Sequence, residues 1–389
     1  MATLEEFRVE TRSWLEQYCP EGARGPGQIS NGGEKIPIRD PDVRLWLDRC
    51  AEKGLTVPLW PVEYGGSGLS TSEYVVLLEE MRRIKARSPL GGMGVGLIGP
   101  TLIEHGTEEQ KQRHLSRIAR GQVRWCQGYS EPNAGSDLAS LQTRAVDDGD
   151  QFIINGQKIW TSGANDADWM FCLTRTDPNA PKHDGISMIL LDMNQPGVTT
   201  RPIQLISGSS PFCETFFDNA VARKDDLIGQ RNRGWTVAKR LLQHERSSIT
   251  ILAGGAATKA PEINPLQRLM EQYDSKDPIL RDRVLRFEMR QLAYRLTQKR
   301  TVAESDDGQT PGPQTSIFEL CGANLEKEEA EVKVEILGMR GLGWEGEGFE
   351  PRETEMQRAW LSSKRRSIAR GSNEVQMNII AKRVLGLPD

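Results

Sequence analysis

The sequence predicts an α+β fold in three parts: helical, then β, then helical. Three observations predict it. Apolar residues recur at helical spacing up to about residue 120, the period switches to strand-like alternation over 121–230, and helical spacing returns from Gly234 to the end. The domains expected are therefore 1–120, 121–230 and 231–389.

In the first part, "SEYVVLLEEMRRI" sets Val75, Leu78 and Met81 on one helical face. "GTEEQKQRHLSRI" opens with Gly106-Thr107, a small pair suited to capping a helix. "GVGLIG" (94–99) matches the glycine pattern of a dinucleotide site, which carries meaning only between a strand and a helix. Here a charged helical stretch precedes it and Pro100 follows, so close helix packing is expected instead.

In the second part, "DQFIINGQKIWTS" alternates around Asn155-Gly156, a dipeptide that signals a hairpin. "ISMILLDM" is a short apolar run bounded by turn residues, as in a buried strand, and "PFCETFFDNA" alternates again. In the third part, helices are expected in "GWTVAKRLLQHERSSITILAGGAA", "PILRDRVLRFEMRQLAYRLTQ" and "TSIFELCGANLEKEEAEVKVEILG", with a closing helix after Gly371. Ser372 stands where its N-cap would sit, ahead of Val375, Ile379, Ile380 and Val384. "ESDDGQTPGPQ" reads as a loop.

Composition narrows the function. The net charge of −4 provides no global field to recruit nucleic acid or anionic lipid, and no apolar run approaches the roughly 18 residues of a membrane span. Six cysteines lie scattered without a C-x-x-C pair, which argues against zinc and against a disulfide framework. The first residues are acidic and amphipathic, unlike an export signal, so a cytoplasmic location is expected. The one dense basic run is "SSKRRSIAR" (362–370).

Two stretches carry candidate chemistry. "WCQGYSEPNAGSD" (125–137) offers hydroxyls at Ser130 and Ser136, a turn through Pro132, Asn133 and Gly135, and the polar Gln127. Such a turn brings backbone N–H groups close to an electron-rich ring or a phosphate. "NGQKIWTSGANDADW" (155–169) supplies the flat face of Trp160 and the hydroxyls of Thr161 and Ser162.

Glu131-Pro132, Gly135-Ser136-Asp137, Asn155-Gly156-x-Lys158-x-Trp160, Gly234-Trp235 and Glu245-Arg246, in that order, resemble the acyl-CoA dehydrogenase flavoprotein family. The likeness runs from "PLWPVEYGGSGLS" to "NIIAKRVLGLP", nearly the whole chain, and is closest to the bacterial branch that degrades steroid side chains and short or branched acyl groups. The resemblance implies an N-terminal helical domain, a middle β-domain and a C-terminal four-helix bundle. It implies FAD, an acyl-CoA substrate, electron transfer flavoprotein as acceptor, and assembly as a homodimer, homotetramer or heterotetramer. By matching positions, Gln127, Tyr129 and Ser130 would lie along the flavin, and Trp160 and Ser162 would flank its ring. Ser136 and Arg246 would touch the acyl-CoA, while Glu335, Gly338, Arg340 and Ser372 would serve the cofactor, the first three from a neighbouring subunit. The arginine-x-x-phenylalanine-glycine element of many relatives is not recognisable around "MEQYDSKDP".

The reaction so implied removes an α-proton to a base while the β-hydrogen leaves as hydride. The base must be an ionised carboxylate whose proton affinity a dry pocket raises. Many relatives place it directly before the glycine of the final helix, where this sequence has Arg370-Gly371-Ser372. A guanidinium accepts no proton near neutral pH, so Arg370 is not the base, although its backbone N–H would still serve the thioester oxygen. Glu245 lies seven, four and three residues beyond Ala238, Leu241 and Leu242, on the same helical face. A glutamate on an apolar stripe is expected only if it is paired or functional, so a core ion pair is the other reading. Relatives that take the base from this helix hold it at the position matched by Glu245, so the resemblance implies Glu245 as the base. Two other classes remain open: a flavin oxidase or monooxygenase of the same fold, and a base-less partner subunit or nucleic-acid-associated relative.

Overall fold

A computed structural model describes residues 3–255, 264–304 and 312–388, with the side chains of 245–255 and 302–304 outside the described set. Residues 305–311, most of the expected "ESDDGQTPGPQ" loop, also lie outside the described residues. The chain divides into two compact units: Met1–Ile203 with Ser210–Ser248, and Gln204–Ser209 with Ile249–Asp389.

The first unit begins with five helices: α1 (Leu4–Tyr18), α2 (Pro41–Glu52), α3 (Thr71–Arg83), α4 (Gly99–His105) and α5 (Glu108–Ala119). Capping boxes start α1 at Thr3/Glu6, α3 at Ser70/Glu73 and α5 at Thr107/Gln110, so each satisfies orphan N–H groups reciprocally. The buried face of α3 is Val76, Leu77, Glu80 and Met81, which corrects the expected Val75–Leu78–Met81 stripe. Glu80 is buried despite its charge, because Arg8, Arg12 and Arg83 converge on its carboxylate at 2.8–3.1 Å. The glycine-rich 94–99 stretch forms a π-helical turn, Gly94–Ile98, that runs into α4. A Cβ on Gly99 would lie 2.0 Å from the Trp60 ring and one on Gly94 3.1 Å from Ile118, so these two glycines serve close packing, as expected. A Cβ on Gly96 would meet nothing within 4 Å.

Eight strands follow: β1 (Trp125–Gly128), β2 (Arg144–Asp148), β3 (Gln151–Ser162), β4 (Trp169–Arg175), β5 (Ile186–Asp192), β6 (Val198–Ile203), β7 (Phe212–Arg223) and β8 (Leu227–Ile228). The sheet order is β6-β7-β3-β2-β4-β5-β8, and β1 pairs parallel with β4. Strand alternation separates two cores. Phe171, Leu173, Met188 and Leu190 join the helices, whereas Met170, Cys172, Ile189 and Leu191 pack with Phe152 and Ile154 of β3. The run "ISMILLDM" is the buried strand β5, as its apolar continuity predicts.

The Asn155-Gly156 expectation is corrected. These residues lie inside β3, and the hairpin turn falls earlier, where Asp148 pairs with Gln151 across Gly149-Asp150. Gly149 has φ +65°, the left-handed conformation such a turn requires. Around Asn155 the β3–β7 register shifts instead, and Asn155 Oδ1 accepts a hydrogen bond from the N–H of left-handed Asn219 on the partner strand.

Helix α6 (Gly234–Gly255) begins in this first unit. Val237, Ala238 and Leu241 are buried in its core and Leu242 packs against it, which is the apolar face the sequence predicts.

The second unit holds α7 (Pro265–Gln272), α8 (Pro278–Glu304), α9 (Thr315–Leu337), α10 (Pro351–Ser363) and α11 (Asn373–Ile379). Its core gathers Leu269, Val284, Phe287, Val332 and Ile336 from α7, α8 and α9. Among the described residues, no helix is long and apolar enough to cross a membrane.

Candidate functional site

The two chemistry-bearing stretches meet in the first unit. β1 ends at Gly128 and the chain turns through Tyr129–Ser130 to a tight loop, in which Glu131 and Ala134 exchange backbone hydrogen bonds. Ser130 O accepts from the N–H of Ile159 on β3 at 2.9 Å, which places the turn beside Trp160. Lys158, with no accessible surface, donates from Nζ to Tyr129 O at 2.9 Å and to Glu131 Oε1 at 2.8 Å. The Glu131 carboxylate also accepts the backbone N–H groups of Gln142 and Thr143 at 2.7 and 2.9 Å. Burial pushes the Glu131 carboxyl up, but the Lys158 charge and these hydrogen bonds outweigh it and hold it below its ordinary value.

Trp160 owes its direction to a bulge. On β3, Lys158 pairs with Thr215 and Thr161 with Cys213, so two residues of β3 oppose one of β7. Without the bulge, Lys158 and Trp160 would share a face. With it, Trp160 adopts φ +60° and leaves its indole 53% exposed, while Thr161 turns inward to hydrogen-bond Cys213 O at 2.7 Å. Thr161 is thus a sheet contact, whereas Ser162, Ser130 and Gln127 remain partly open and Ser136 is exposed. The Tyr129 ring is buried edge-on to Phe171, so at this position the backbone, not the ring, borders the open face. An exposed indole flanked by serine hydroxyls and a turn of backbone amides fits a flavin ring: one apolar face to cover, several hydrogen-bonding edges.

At the start of α6 a cleft of about 310 Å³ is lined by His183, Asp184, Arg233, Trp235, Thr236 and Lys239. Sequence reasoning passed over it, because its lining joins the start of α6 to His183-Asp184, about 50 residues earlier in the chain. Glu245 and Arg246 continue α6 one turn beyond Leu241, but their side chains lie outside the described residues.

The remaining candidates belong to the second unit. Arg370 has φ +61° and Gly371 φ +86°, and the Arg370 carbonyl accepts from Gln376 Nε2 at 2.8 Å. The Arg370 guanidinium lies 4.0 Å from Glu319 on α9, so the chain itself supplies an anion for it. Ser372 caps α11, its hydroxyl accepting the Val375 N–H at 3.4 Å. Glu335 is ion-paired with Arg283, and Arg340 pairs with the fully buried Glu353 at 3.0 Å; Gly338 sits between them with φ +57°. The basic run is largely spoken for: Arg366 binds Glu326 and Lys364 lies over Trp360.

Comparison with known proteins matches this architecture. The acyl-CoA dehydrogenase N-terminal, middle and C-terminal domain models match residues 2–122, 126–220 and 232–385. The chain is 40% identical over 395 residues to acyl-CoA dehydrogenase IpdE1 of Mycobacterium tuberculosis, covering 100% of this chain and 99% of that protein. Among solved structures it is similar to the Tcur3481-Tcur3483 steroid ACAD, with a TM-score of 0.75, 32% identity and coverage of 99% and 97%. It is also similar to the ChsE4-ChsE5 complex of Mycobacterium tuberculosis, with a TM-score of 0.72, 26% identity and coverage of 100% and 99%. The chain therefore belongs to the acyl-CoA dehydrogenase family, with its N-terminal helical, middle β and C-terminal helical domains, and is an FAD-dependent oxidoreductase acting on the CH–CH bond of acyl-CoA thioesters.

Proposed function

We propose that this dehydrogenase acts on a bulky, branched or steroid-derived acyl-CoA and takes the α-proton with Glu245 of α6. The observation that carries the base assignment is Arg370. The position where many relatives hold the carboxylate bears a guanidinium, and that guanidinium faces Glu319. Glu245 follows buried Leu241 by one turn along α6, and this role requires its carboxylate to be dry enough to bind a proton. The 32% identity to a steroid ACAD supports the substrate class.

In this reading Trp160, Ser162, Ser130 and Gln127 bind and orient the flavin, and the Tyr129 backbone borders it. Ser136 lies on the substrate side. Arg233 and Lys239, in the cleft at the start of α6, offer cations for the phosphates of the coenzyme A moiety. The Arg370 backbone N–H donates to the thioester oxygen, stabilising the charge that develops there as the α-proton leaves. When bound, FAD accepts the β-hydrogen as hydride. Glu335, Gly338, Arg340 and Ser372 are assigned to the cofactor, and Arg246 to the substrate. Electron transfer flavoprotein is the acceptor, the assembly is oligomeric and the location cytoplasmic; the domain limits are those predicted from sequence.

The test is Glu245→Gln. It should keep fold and FAD content and slow anaerobic bleaching of the flavin by acyl-CoA about 100- to 10,000-fold. Bleaching at the wild-type rate would place the base elsewhere. A panel of acyl-CoAs from short and branched to steroid-sized should bleach the wild-type flavin fastest at the bulky end. The two-component neighbours favour a second reading, a base-less subunit of a heteromer. In that case no acyl-CoA bleaches the isolated chain until the second chain is added.

A further inference from the structure

Lys158 is among the largest side chains of the first unit with no accessible surface, and it is the charged one. Burying an ammonium is costly unless its hydrogen bonds are satisfied in good geometry. Here it reaches Tyr129 O and Glu131 Oε1, both in the turn after β1. Glu131 passes the constraint on, because its two oxygens hold the Gln142 and Thr143 N–H groups where the same turn returns to β2. The buried Arg175 closes the far side, donating to Ala139 O at 2.7 Å and to Leu141 O at 3.3 Å. On β3, Lys158 is the last residue in register before the bulge that turns Trp160 outward. One residue on, Ile159 N–H holds Ser130 O. A single buried pair thus sits between the hydroxyl-bearing turn and the indole, one or two residues from each.

We propose that Lys158 and Glu131 are positioning residues for flavin binding. Their pair fixes where the β3 bulge falls and how the 127–136 turn lies against it, so that Trp160 and Ser130 meet the ring already oriented. Neither residue needs to touch the cofactor. The inference rests on the reading that Trp160 faces the flavin.

The experiment titrates FAD into apoprotein of the wild type, Lys158→Met, Trp160→Ala and the double variant. It reads Kd by flavin fluorescence and the visible absorption of the bound flavin, with the fold checked by circular dichroism. Lys158→Met removes the ammonium and keeps the chain length. It should raise the FAD Kd about tenfold or more and alter the visible envelope, and with Trp160→Ala it should be non-additive, the double variant binding about as weakly as the worse single one. A folded Lys158→Met with wild-type Kd and spectrum, or fully additive effects, overturns the positioning role. If Trp160→Ala itself leaves Kd unchanged, the placement of the flavin at Trp160 is wrong, and the positioning role falls with it. Should Lys158→Met not fold, Glu131→Gln runs the same cycle and is read in the same way, because it removes the opposing charge at nearly constant volume.

Discussion

His114 has no accessible surface and lies edge-on to two tryptophans, with ring centroids 5.1 Å from Trp125 and 4.8 Å from Trp169. Neither ring nitrogen has a hydrogen-bond partner among the described residues. Burial, with the charges of Arg113 and Arg117, pushes its pKa down from 6.5 to about 3. The native state therefore keeps it neutral while the unfolded chain takes up a proton below about 6.5. Stability is full above that value and falls as the pH drops toward 3, by about 1.4 kcal/mol per pH unit from this residue alone. His114→Leu should flatten the dependence of Tm on pH between about 5 and 6.5 relative to the wild type. An unchanged slope would show that other groups set the acid limit. Glu80 has the opposite sign of charge and the same direction of effect. Hydrogen bonds from Arg12, then Arg83 and Arg8, prevail over burial and hold its carboxyl at about 2, so its contribution is lost as the pH falls from 4.5 toward that value.

At the scale of elements, glycine and bulge positions set the geometry. Gly99 opens α4 beneath Trp60, where an added Cβ would meet Cζ2 at 2.0 Å and Gly94 O at 2.8 Å. Part of the obstacle is backbone, which cannot swing away as a side chain does. Gly99→Ala should destabilise the protein by about 1–3 kcal/mol, read as a lower urea midpoint at constant m. An alanine tolerated without loss would mean that the Trp60 ring moves freely. The order of helices and strands was legible because each carries its own period and its own caps: Thr107 and Ser372 are the N-caps their positions predicted. The β2–β3 turn was not, because Asn155-Gly156 outranks Gly149-Asp150 as a local signal. What decides is the pairing of β3 with β7, which continues on both sides of Asn155 and makes the dipeptide part of a bulge.

For the whole molecule, α8 is apolar on two sides. Leu280, Val284 and Phe287 are buried, while Leu285, Met289, Leu292 and Leu296 form a second stripe that is 44–73% exposed. Their spacing of four, three and four residues is that of a helix–helix seam. Together with the two-component neighbours, this supports the oligomer proposed above. The purified chain should sediment as a dimer or larger, and Met289→Glu with Leu292→Glu should shift it to smaller species at unchanged helicity. A wild-type monomer holding FAD tightly would contradict the assembly, and an unshifted double variant would move the interface elsewhere.

The sequence by itself determined the three-part order, the family and the stretches that carry its chemistry, because period, caps and short motifs are local and survive without coordinates. It also excluded Arg370 as the base, since no environment makes a guanidinium a proton acceptor at neutral pH. Only the tertiary structure decided which anion faces Arg370, since Glu319 lies 51 positions away on another helix. It alone showed that Lys158 and Glu131, visible beforehand as motif letters, form a buried pair. It also aimed Trp160 outward and Thr161 inward, by a bulge whose place depends on the partner strand. These are questions of which distant groups meet, and spacing along a chain does not contain the answer.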